Sequence, residues 1–378
     1  MNRSKKQDPL RNETEIIGRI WQALPTRAGK RARDWLRLGV GDDAAVIRAT
    51  GRKGTMTSDW VLSTDAFLEG VHFLPAVHAP GNIGYKALAR ATSDLAAMGA
   101  SPRFFLLGIA LPPNRTGKWL DGFLKGMAYA AHEYGMVLIG GDTSRFSTVA
   151  MNIVVGGEAV RARGRNVLTR CGARPGDLIY VSGTLGAAQL GLEIILHGLN
   201  GNAKEPQVPR GGRWKGLALP HLRPIIHLAL GQWLAGKNSS KYQMASAAID
   251  TSDGLSTDLN HICLASSVGA RLWAKKIPAV RIPDSLCRHG TRLDPLTLAL
   301  HGGEDYQLLF TVSPAVARRL PRQFHGVPLT QIGEIVPAPT KAREDRSCIE
   351  LVTFDGKANS LKPQGWDPFT AHFSRKNF

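Results

Sequence analysis

The sequence predicts a two-domain fold of the α/β (α+β) class, with helices packed on β-sheets in both halves of the chain. Three observations lead to this prediction. Strand-like and helix-like segments alternate throughout, 378 residues are enough for two domains, and a hydrophobic fraction of 43% provides for buried cores. Because a basic, turn-rich stretch at 161–176 separates the halves, we place an N-terminal domain at 1–160 and a C-terminal domain at 161–378.

The N-terminal half shows the alternation of helices and strands. Apolar residues at helical spacing predict an amphipathic helix over 13–24 and an alanine-rich helix over 82–98 that ends before Gly99. A further helix is expected at 117–134, and the apolar run at 136–141 is typical of a buried strand. The remaining strands of this half are expected at 38–47, 60–67, 104–111 and 149–160.

The C-terminal half continues the pattern around one interruption. Residues 198–220 are basic and rich in Gly and Pro, which predicts an inserted surface loop. A fold tolerates such a loop because the entropy cost of closing it grows slowly with its length. Strands are expected at 177–183, 270–277 and 306–312, and helices at 186–197, 224–235, 256–267 and 293–300.

The net charge of +18 indicates attraction to anionic partners. Basic residues interleaved with aromatic ones, typical of nucleic-acid binding, are not seen, so nucleic acid is an unlikely partner. The sequence has no apolar run of about 18 residues or more, so no membrane span is expected. No apolar segment follows the basic N-terminus, so no signal peptide is expected. Four cysteines without a CxxC pair favour reduced thiols and a cytoplasmic location.

Five short acidic segments carry the chemistry: GDD at 41–43, STD at 63–65, SD at 93–94, GGDT at 140–143 and DTSDG at 250–254. Four of them follow apolar, strand-like runs, and open α/β sheets bind ligands at strand ends. Mg²⁺ prefers such oxygen ligands and bridges them to substrate phosphates. Each segment alone also fits a turn or a helix cap. Together they favour a magnesium-dependent phosphotransferase.

The nucleotide of such an enzyme has to be held without the common phosphate-binding motifs. The sequence contains neither a P-loop nor the protein-kinase set of motifs. Metal ions that bridge the phosphates to carboxylates are the alternative.

Seven blocks form a recognisable series along the chain: GVGDDAAV, STDAFLEGVHF, YKALARATSDLAAMGASP, LIGGDTSR, LTRCGARPGDLIYVSGTLGAA, IDTSDGLSTDL and LHGGEDYQLLFTV. In this order they resemble the thiamine-monophosphate kinase family of the aminoimidazole-ribonucleotide-synthetase-like superfamily, over about residues 13–375. The resemblance implies two α/β domains, several Mg²⁺ ions and a homodimer formed through the N-terminal domains. It also implies direct in-line phosphoryl transfer from ATP to thiamine monophosphate, which gives thiamine diphosphate.

The resemblance implies a role for individual residues. The implied metal ligands are Asp43, Ser63, Thr64, Asp65, Asp94, Asp142, Asp250 and Asp253. The catalytic set within them is Asp43, Asp65, Asp94, Asp142 and Asp250. The implied ATP contacts are Gly141, Asp142, Arg170 and Ser252, and the implied thiamine-phosphate pocket contains His72, Glu304 and Trp366. An aromatic face suits a thiamine ring, and a guanidinium offsets the repulsion between two phosphates.

Several alternatives remain open at this level. Taken without the resemblance, His72 and Trp366 fit packing roles as well as ligand roles. Another ATP-dependent enzyme of the same superfamily is the nearest rival; selenophosphate synthetase would show an N-terminal Cys or selenocysteine, whereas the first cysteine here is Cys171. A non-catalytic, RNA-binding relative is a rival of a different class, and it would be expected to lack some of the aspartates.

Overall fold

The computed structural model describes residues 15, 36–39, 41–48, 58–160, 167–197, 212–237, 243–287, 293–339 and 347–369. Two β-sheets form its framework, and each is built from one half of the chain. The expected helix at 13–24 lies outside the described residues except for Glu15, which is helical. Within the described residues, none of the helices is long and apolar enough to cross a membrane.

The described strands of the first sheet are six, in the order β1-β2-β3-β6-β4-β5. The strands are β1 (Leu36–Leu38), β2 (Ala45–Arg48), β3 (Ser58–Leu68), β4 (Ser101–Leu111), β5 (Val137–Arg145) and β6 (Ala150–Val160). Neighbours are antiparallel except β4 and β5, which are parallel. Within residues 58–160 the helices are α1 (Pro80–Ala97) and α2 (Lys118–Tyr134), with a 3₁₀ turn at Pro113–Arg115.

Helix α1 follows from its sequence and becomes the scaffold of the site. Pro80 stands in its first turn, where a missing N–H costs nothing. Leu88, Ala91 and Leu95 recur at helical spacing and are fully buried. The helix ends at Ala97 with Met98 as its C-cap, and Gly99 takes the left-handed conformation that terminates it. The expectation of a helix at 82–98 is confirmed.

The second sheet has eight strands, seven of them in the order β14-β13-β9-β12-β7-β10-β8, with β11 paired to β12. The strands are β7 (Leu178–Ser182), β8 (Ala247–Asp250), β9 (Val268–Trp273), β10 (Leu308–Val312), β11 (Gln323–Phe324), β12 (Val327–Pro337), β13 (Ile349–Val352) and β14 (Ala358–Leu361). Only the β13–β9 pairing is parallel among the described strands of this sheet.

The described residues of the C-terminal half form seven helices. They are α3 (Ala187–His197), α4 (Gly212–Leu222), α5 (Leu228–Leu234), α6 (Leu255–Ser266), α7 (Asp284–Cys287), α8 (Pro295–His301) and α9 (Pro314–Ala317), and a 3₁₀ turn spans Ala274–Lys276. The mixed architecture of two sheets with packed helices confirms the predicted fold class.

The two sheets share a hydrophobic core. Strand β10 is buried along its whole length, and its side chains alternate between the two faces of its sheet. Leu308 and Phe310 join the core cluster that contains α1 and the six-stranded sheet, whereas Leu309 joins a second cluster under α6. Helix α1 therefore packs against β8, the neighbour of β10. This contact joins the two halves at the candidate site. The domain boundary near 161 stays a prediction.

Two expectations about the C-terminal half need correction. The stretch 198–220 is not a loop throughout, because α4 occupies its second part and buries Ala218 and Leu222 beside Ile195. Residues 198–211 lie outside the described residues. The helix expected at 224–235 is shorter, and begins only at Leu228.

Strand β5 is also unlike its prediction. The run 136–141 was expected to be a buried strand, but all nine residues of β5 are exposed in the single chain. The apolar side chains of Val137, Leu138 and Ile139 are each more than half exposed. Among the described strands, β5 is an edge strand that pairs with β4 alone, and the described residues leave both of its faces exposed. Apolar sequence alone does not tell whether a strand is covered by its own chain.

Candidate active site

Three carboxylates from both halves of the chain meet where the two sheets join. Asp43 lies in the turn between β1 and β2, Asp94 lies on α1, and Asp250 ends β8. One ligand oxygen from each lies within 4.8 Å of the others. Asp43 and Asp250 are buried, and Asp94 is partly buried. We call these three residues the carboxylate cluster.

Two serines hold the carboxylate cluster in place. The hydroxyl of Ser63, on β3, donates to Asp94 and lies 3.3 Å from the carbonyl oxygen of Asp43. The hydroxyl of Ser93, on α1, donates to Oδ2 of Asp250 at 2.6 Å. Because β3, α1 and β8 all belong to the packed core, the separation of the carboxylates is fixed by the fold.

Arg170 holds one side of Asp43 and leaves the other side open. Its Nε and Nη2 donate to Asp43 Oδ1 at 2.9 and 2.5 Å, and its backbone N–H lies 3.1 Å from Oδ2 of Asp42. Asp43 Oδ2 is buried and has no hydrogen-bond partner among the described residues. A buried acceptor without a partner is costly. A cation bound by the cluster would satisfy it.

The electrostatics of the carboxylate cluster point the same way. Burial, reinforced by the charge of Asp43, raises the pKa of Asp250 to about 7. Burial, with the charges of Asp250 and Asp65, raises the pKa of Asp94 well above its usual value. Three close carboxylates therefore resist ionising together without positive charge. An oxygen-preferring divalent cation such as Mg²⁺ fits this donor set.

The sequence suggested that Asp65 and Asp142 stand at strand ends. In the structure they do not. Both lie within their strands, since β3 and β5 extend beyond their apolar residues. Asp65 accepts a hydrogen bond from Nη2 of Arg90 at 3.3 Å. By strand alternation it shares with Ser63 the sheet face that α1 covers. It is thus placed beside the carboxylate cluster.

Asp142 lies on the opposite, open face of the six-stranded sheet. Thr64 is on this face and donates to Oδ1 of Asn152 at 3.1 Å. In register, Asn152 pairs with Gly108, and Gly108 pairs with Asp142. Asp142, on β5, is thus three strand spacings from β3 across the sheet, or about 14 Å at the usual strand spacing. The structure does not bring it to the carboxylate cluster.

Gly141 marks a close approach between β4 and β5. A Cβ atom at this position would overlap the carbonyl oxygen of Leu107. Glycine at this position therefore lets the GGDT segment pair tightly with β4, and this pairing fixes the position of Asp142.

A second group of residues surrounds Glu304, in the loop before β10. Oε2 of Glu304 accepts hydrogen bonds from Nζ of Lys86 at 2.7 Å and from Nδ1 of His221 at 3.1 Å. Burial opposes ionisation of Glu304, but the charge of Lys86 and the bond from His221 outweigh it and hold the pKa of Glu304 well below its usual value. Glu304 is therefore ionised, with Oε2 occupied on the protein side.

A chain of polar contacts behind Glu304 joins two buried histidines. Nδ1 of His78 lies 3.0 Å from the backbone nitrogen of Leu74 and 3.1 Å from its carbonyl oxygen. Nε2 of His78 faces Nε2 of His221 at 3.1 Å, so one of these two nitrogens donates a proton to the other, and Nδ1 of His221 lies 3.1 Å from Oε2 of Glu304. Burial lowers the pKa of His78 to about 4 and also lowers that of His221, so both rings are neutral. We call this series of bonds the histidine relay.

The loop that carries Glu304 is held at both ends. The backbone N–H of Glu304 donates to the carbonyl of Ser252 at 2.8 Å. The carboxylate of Asp305 accepts from the N–H groups of Gly186 and Ala188, at the start of α3. Glu304 and Tyr306 have positive φ angles of 65° and 49°. Such backbone strain in non-glycine residues is typical of functional sites.

The remaining residues named from the sequence border the same region. His72 accepts from the N–H of Leu68 through Nδ1 at 3.0 Å. Burial, with the charge of Arg90, lowers the pKa of His72 to about 3, so the ring is neutral. The N–H of Trp366 donates to the carbonyl of Asp253 at 3.0 Å, and its side chain is 37% exposed. Trp366 therefore stands beside the DTSDG loop.

Sequence reasoning missed several polar residues of this site. Lys86 and Arg90 precede Asp94 by eight and four residues, so all three lie on one side of α1. That spacing is a signal that was available in the sequence. The histidine relay had none, because His78 and His221 are 143 residues apart in the chain.

The chain is similar to known proteins along most of its length. Residues 41–160 match a family described as AIR synthase related protein, N-terminal domain. Thiamine-monophosphate kinase of Escherichia coli strain K12 is 38% identical over 339 residues, which cover 88% of this chain and 92% of that protein. A solved structure described as AaThiL complexed with AMPPCP and TMP has a TM-score of 0.74 and is 28% identical in sequence. The match covers 95% of this chain and 97% of the chain in that structure.

A more distant likeness extends to another group of proteins. The hydrogenase maturation protein HypE of E. coli has a TM-score of 0.59 and 21% identity, covering 80% of this chain and 86% of its own. At that level of identity the likeness concerns the fold alone.

Proposed function

The chain belongs to the thiamine-monophosphate kinase family, and from this premise we propose that it transfers the γ-phosphoryl group of ATP to thiamine monophosphate, which yields thiamine diphosphate. The enzyme is thus a phosphotransferase with a phosphate group as acceptor. The single observation that carries the proposal is the carboxylate cluster with the open Oδ2 of Asp43. The relative described with AMPPCP and TMP supports the two substrates.

Magnesium is the metal that the cluster fits. Asp43, Asp94 and Asp250 would hold one ion, and Ser63 and Asp65 extend the oxygen donors on the same side of β3. Thr64 and Asp142 add donors on the open face, and Asp253 follows Asp250 in its loop. Donors this far apart require several ions. When bound, Mg²⁺ neutralises phosphate charge, which is the main need of phosphoryl transfer.

The nucleotide site combines backbone and cationic contacts. Gly141 and Asp142 present the GGDT segment on the open sheet face, and Ser252 lies in the loop after β8. Arg170 is oriented by Asp43, so its guanidinium is positioned before a phosphate arrives. A preoriented guanidinium binds phosphate oxygens with little further loss of freedom. We assign ATP binding to these four residues.

The acceptor pocket contains His72, Glu304 and Trp366. The occupied Oε2 of Glu304 leaves its other oxygen for a donor on the thiamine ring system. Trp366 supplies an aromatic face that is partly open to solvent. The phosphate oxygen that attacks is already anionic, so transfer depends on in-line alignment rather than on a general base. The metal-binding aspartates are therefore the catalytic set.

A homodimer formed through the N-terminal half accompanies this proposal. Strand β5 offers unpaired edge groups and three exposed apolar residues, Val137, Leu138 and Ile139. Phe146, just after the strand, is also more than half exposed. Exposed apolar edges of this kind attract another strand or sheet. A second copy of the chain would cover them beside the open face that carries Asp142.

We also propose a cytoplasmic location for the protein. Cys171, Cys263 and Cys348 are free thiols, which agrees with a reducing compartment. The alternative hypothesis is a non-catalytic relative that binds RNA. It predicts RNA binding that depends steeply on salt concentration.

One assay tests the function directly. Purified protein is incubated with ATP, Mg²⁺ and thiamine monophosphate, and thiamine diphosphate is quantified by chromatography. We expect stoichiometric formation of ADP and thiamine diphosphate, and loss of both on chelation of Mg²⁺ by EDTA. Folded protein that makes no thiamine diphosphate would refute the proposal.

A further inference from the structure

Arg90 is a buried cation whose hydrogen-bonding capacity is mostly unused. Its side chain is 15% exposed, and its Nε and Nη1 have no partner among the described residues. Nη2 reaches Oδ1 of Asp65 at 3.3 Å, which is long for a bond between ions. The guanidinium also lies over the ring of Phe67, with Cζ 5.3 Å from its centroid. A guanidinium has five N–H donors, and a buried one normally uses most of them.

The position of Arg90 indicates which ligand its free donors would meet. On α1 it lies one turn after Lys86, which binds Glu304, and one turn before Asp94 of the carboxylate cluster. It therefore stands between the acceptor pocket and the metal-binding carboxylates. An acceptor phosphate has to occupy this position, because its oxygen attacks a phosphoryl group aligned by the cluster.

The other cations near this position are already engaged. Lys86 is paired with Glu304 at 2.7 Å, and Arg170, which is paired with Asp43 at 2.5 Å, is assigned to the phosphates of ATP. Asp65, the partner of Arg90, is itself among the proposed metal ligands, so its charge would be shared with a cation. Arg90 is then the guanidinium with N–H groups available for an incoming dianion. Each of its free N–H groups can donate a charge-assisted hydrogen bond to a phosphate oxygen.

We propose that Arg90 binds the phosphate of the acceptor, and that it thereby selects thiamine monophosphate over thiamine. This inference rests on the proposed function and adds a residue to it. The alternative is that Arg90 serves only to pair with Asp65 and to pack on Phe67. The two hypotheses predict different affinities. If Arg90 recognises the phosphate, its loss weakens the binding of thiamine monophosphate but not that of thiamine.

The test compares two ligands that differ only in the phosphate. Affinities for thiamine monophosphate and thiamine are measured by calorimetry, with Mg²⁺ present, for the wild type, Arg90→Gln and Arg90→Lys. We expect Arg90→Gln to bind thiamine monophosphate about 10- to 100-fold more weakly, with thiamine affinity unchanged. Arg90→Lys should keep part of the difference, because an ammonium lacks the fork of donors. Arg103→Gln, at an exposed ion pair with Glu158, is the matched control.

The outcomes separate this inference from the proposed function. If the affinities for both ligands fall equally, or neither changes, in Arg90→Gln and Arg90→Lys, then Arg90 is structural and the inference is wrong. Melting temperatures show whether either variant is unfolded, and Arg90→Lys decides alone if Arg90→Gln does not fold. Absence of turnover in the wild type would count against the proposed function, whatever the variants bind.

Discussion

Loss of either histidine of the relay should destabilise the protein, and loss of both should cost less than the sum. His78→Leu removes the contact with the backbone of Leu74 and leaves Nε2 of His221 without its hydrogen-bond partner. His221→Leu leaves Nε2 of His78 without its hydrogen-bond partner and removes one bond to Glu304. Each buried group left without a partner costs about 1–3 kcal/mol.

The size of the non-additivity follows from the shared bond. Each single replacement leaves one member of the His78–His221 pair without its partner, whereas the double replacement leaves neither. We therefore expect the double variant to be more stable than the sum of the singles predicts, by about 1–3 kcal/mol. Leucine is close enough to histidine in size to keep the cavity contribution small.

Urea unfolding at pH 7.5, followed by the fluorescence of the eight tryptophans, measures these free energies. A cycle of His78→Leu with His261→Leu serves as control, since His261 lies on α6 away from the relay. That control should be additive. If the His78–His221 cycle is also additive within about 0.5 kcal/mol, the relay does not exist as a coupled unit.

Three further outcomes are expected. Asp250→Asn and Asp142→Asn should each lower kcat by about a hundredfold or more, because a charge that stabilises the transition state is lost. The circular-dichroism spectrum should stay unchanged. Normal turnover in either variant would remove that aspartate from the metal set. Ile139→Asp should convert a dimer to a monomer in light scattering, whereas Leu124→Asp, exposed on α2, should leave the mass unchanged; a dimer persisting in Ile139→Asp contradicts the role of β5. Because burial and the neighbouring His221 lower the pKa of His78 from 6.5 to about 4, the unfolded chain binds that proton more readily between these pH values. The wild type should therefore lose stability relative to His78→Leu as pH falls through this window, by up to about 1.4 kcal/mol per pH unit, and a pH-independent difference would show that His78 is not held neutral.

Much of this fold is local and could be predicted from the sequence. Helix α1 and strand β10 are apolar segments with clear boundaries, and Asp43, Asp94 and Asp250 stand out as acids beside apolar runs. That these acids meet depends on the contact between α1 and β8, which periodicity does not reveal.

The features that were predicted wrongly or missed also depend on contacts that periodicity does not reveal. The exposure of β5 is set by which strand or chain covers it, and the helix at Gly212–Leu222 is stabilised by packing of Ala218 rather than by its glycine- and proline-containing sequence. The histidine relay joins positions far apart in the chain. Tertiary contacts decided each of these features, and they override local propensity.

The carboxylate cluster also connects ligand binding with the cohesion of the molecule. Asp43 and Asp94 come from one sheet and its helix, whereas Asp250 comes from the other sheet. An ion held by all three acts as a tie between the two halves, so its binding free energy adds to that of folding, by about 2.7 kcal/mol at a hundred times its dissociation constant. Occupancy of the site and the mutual arrangement of the sheets are therefore one equilibrium, and a substitution that loosens the junction should weaken metal binding without touching a ligand.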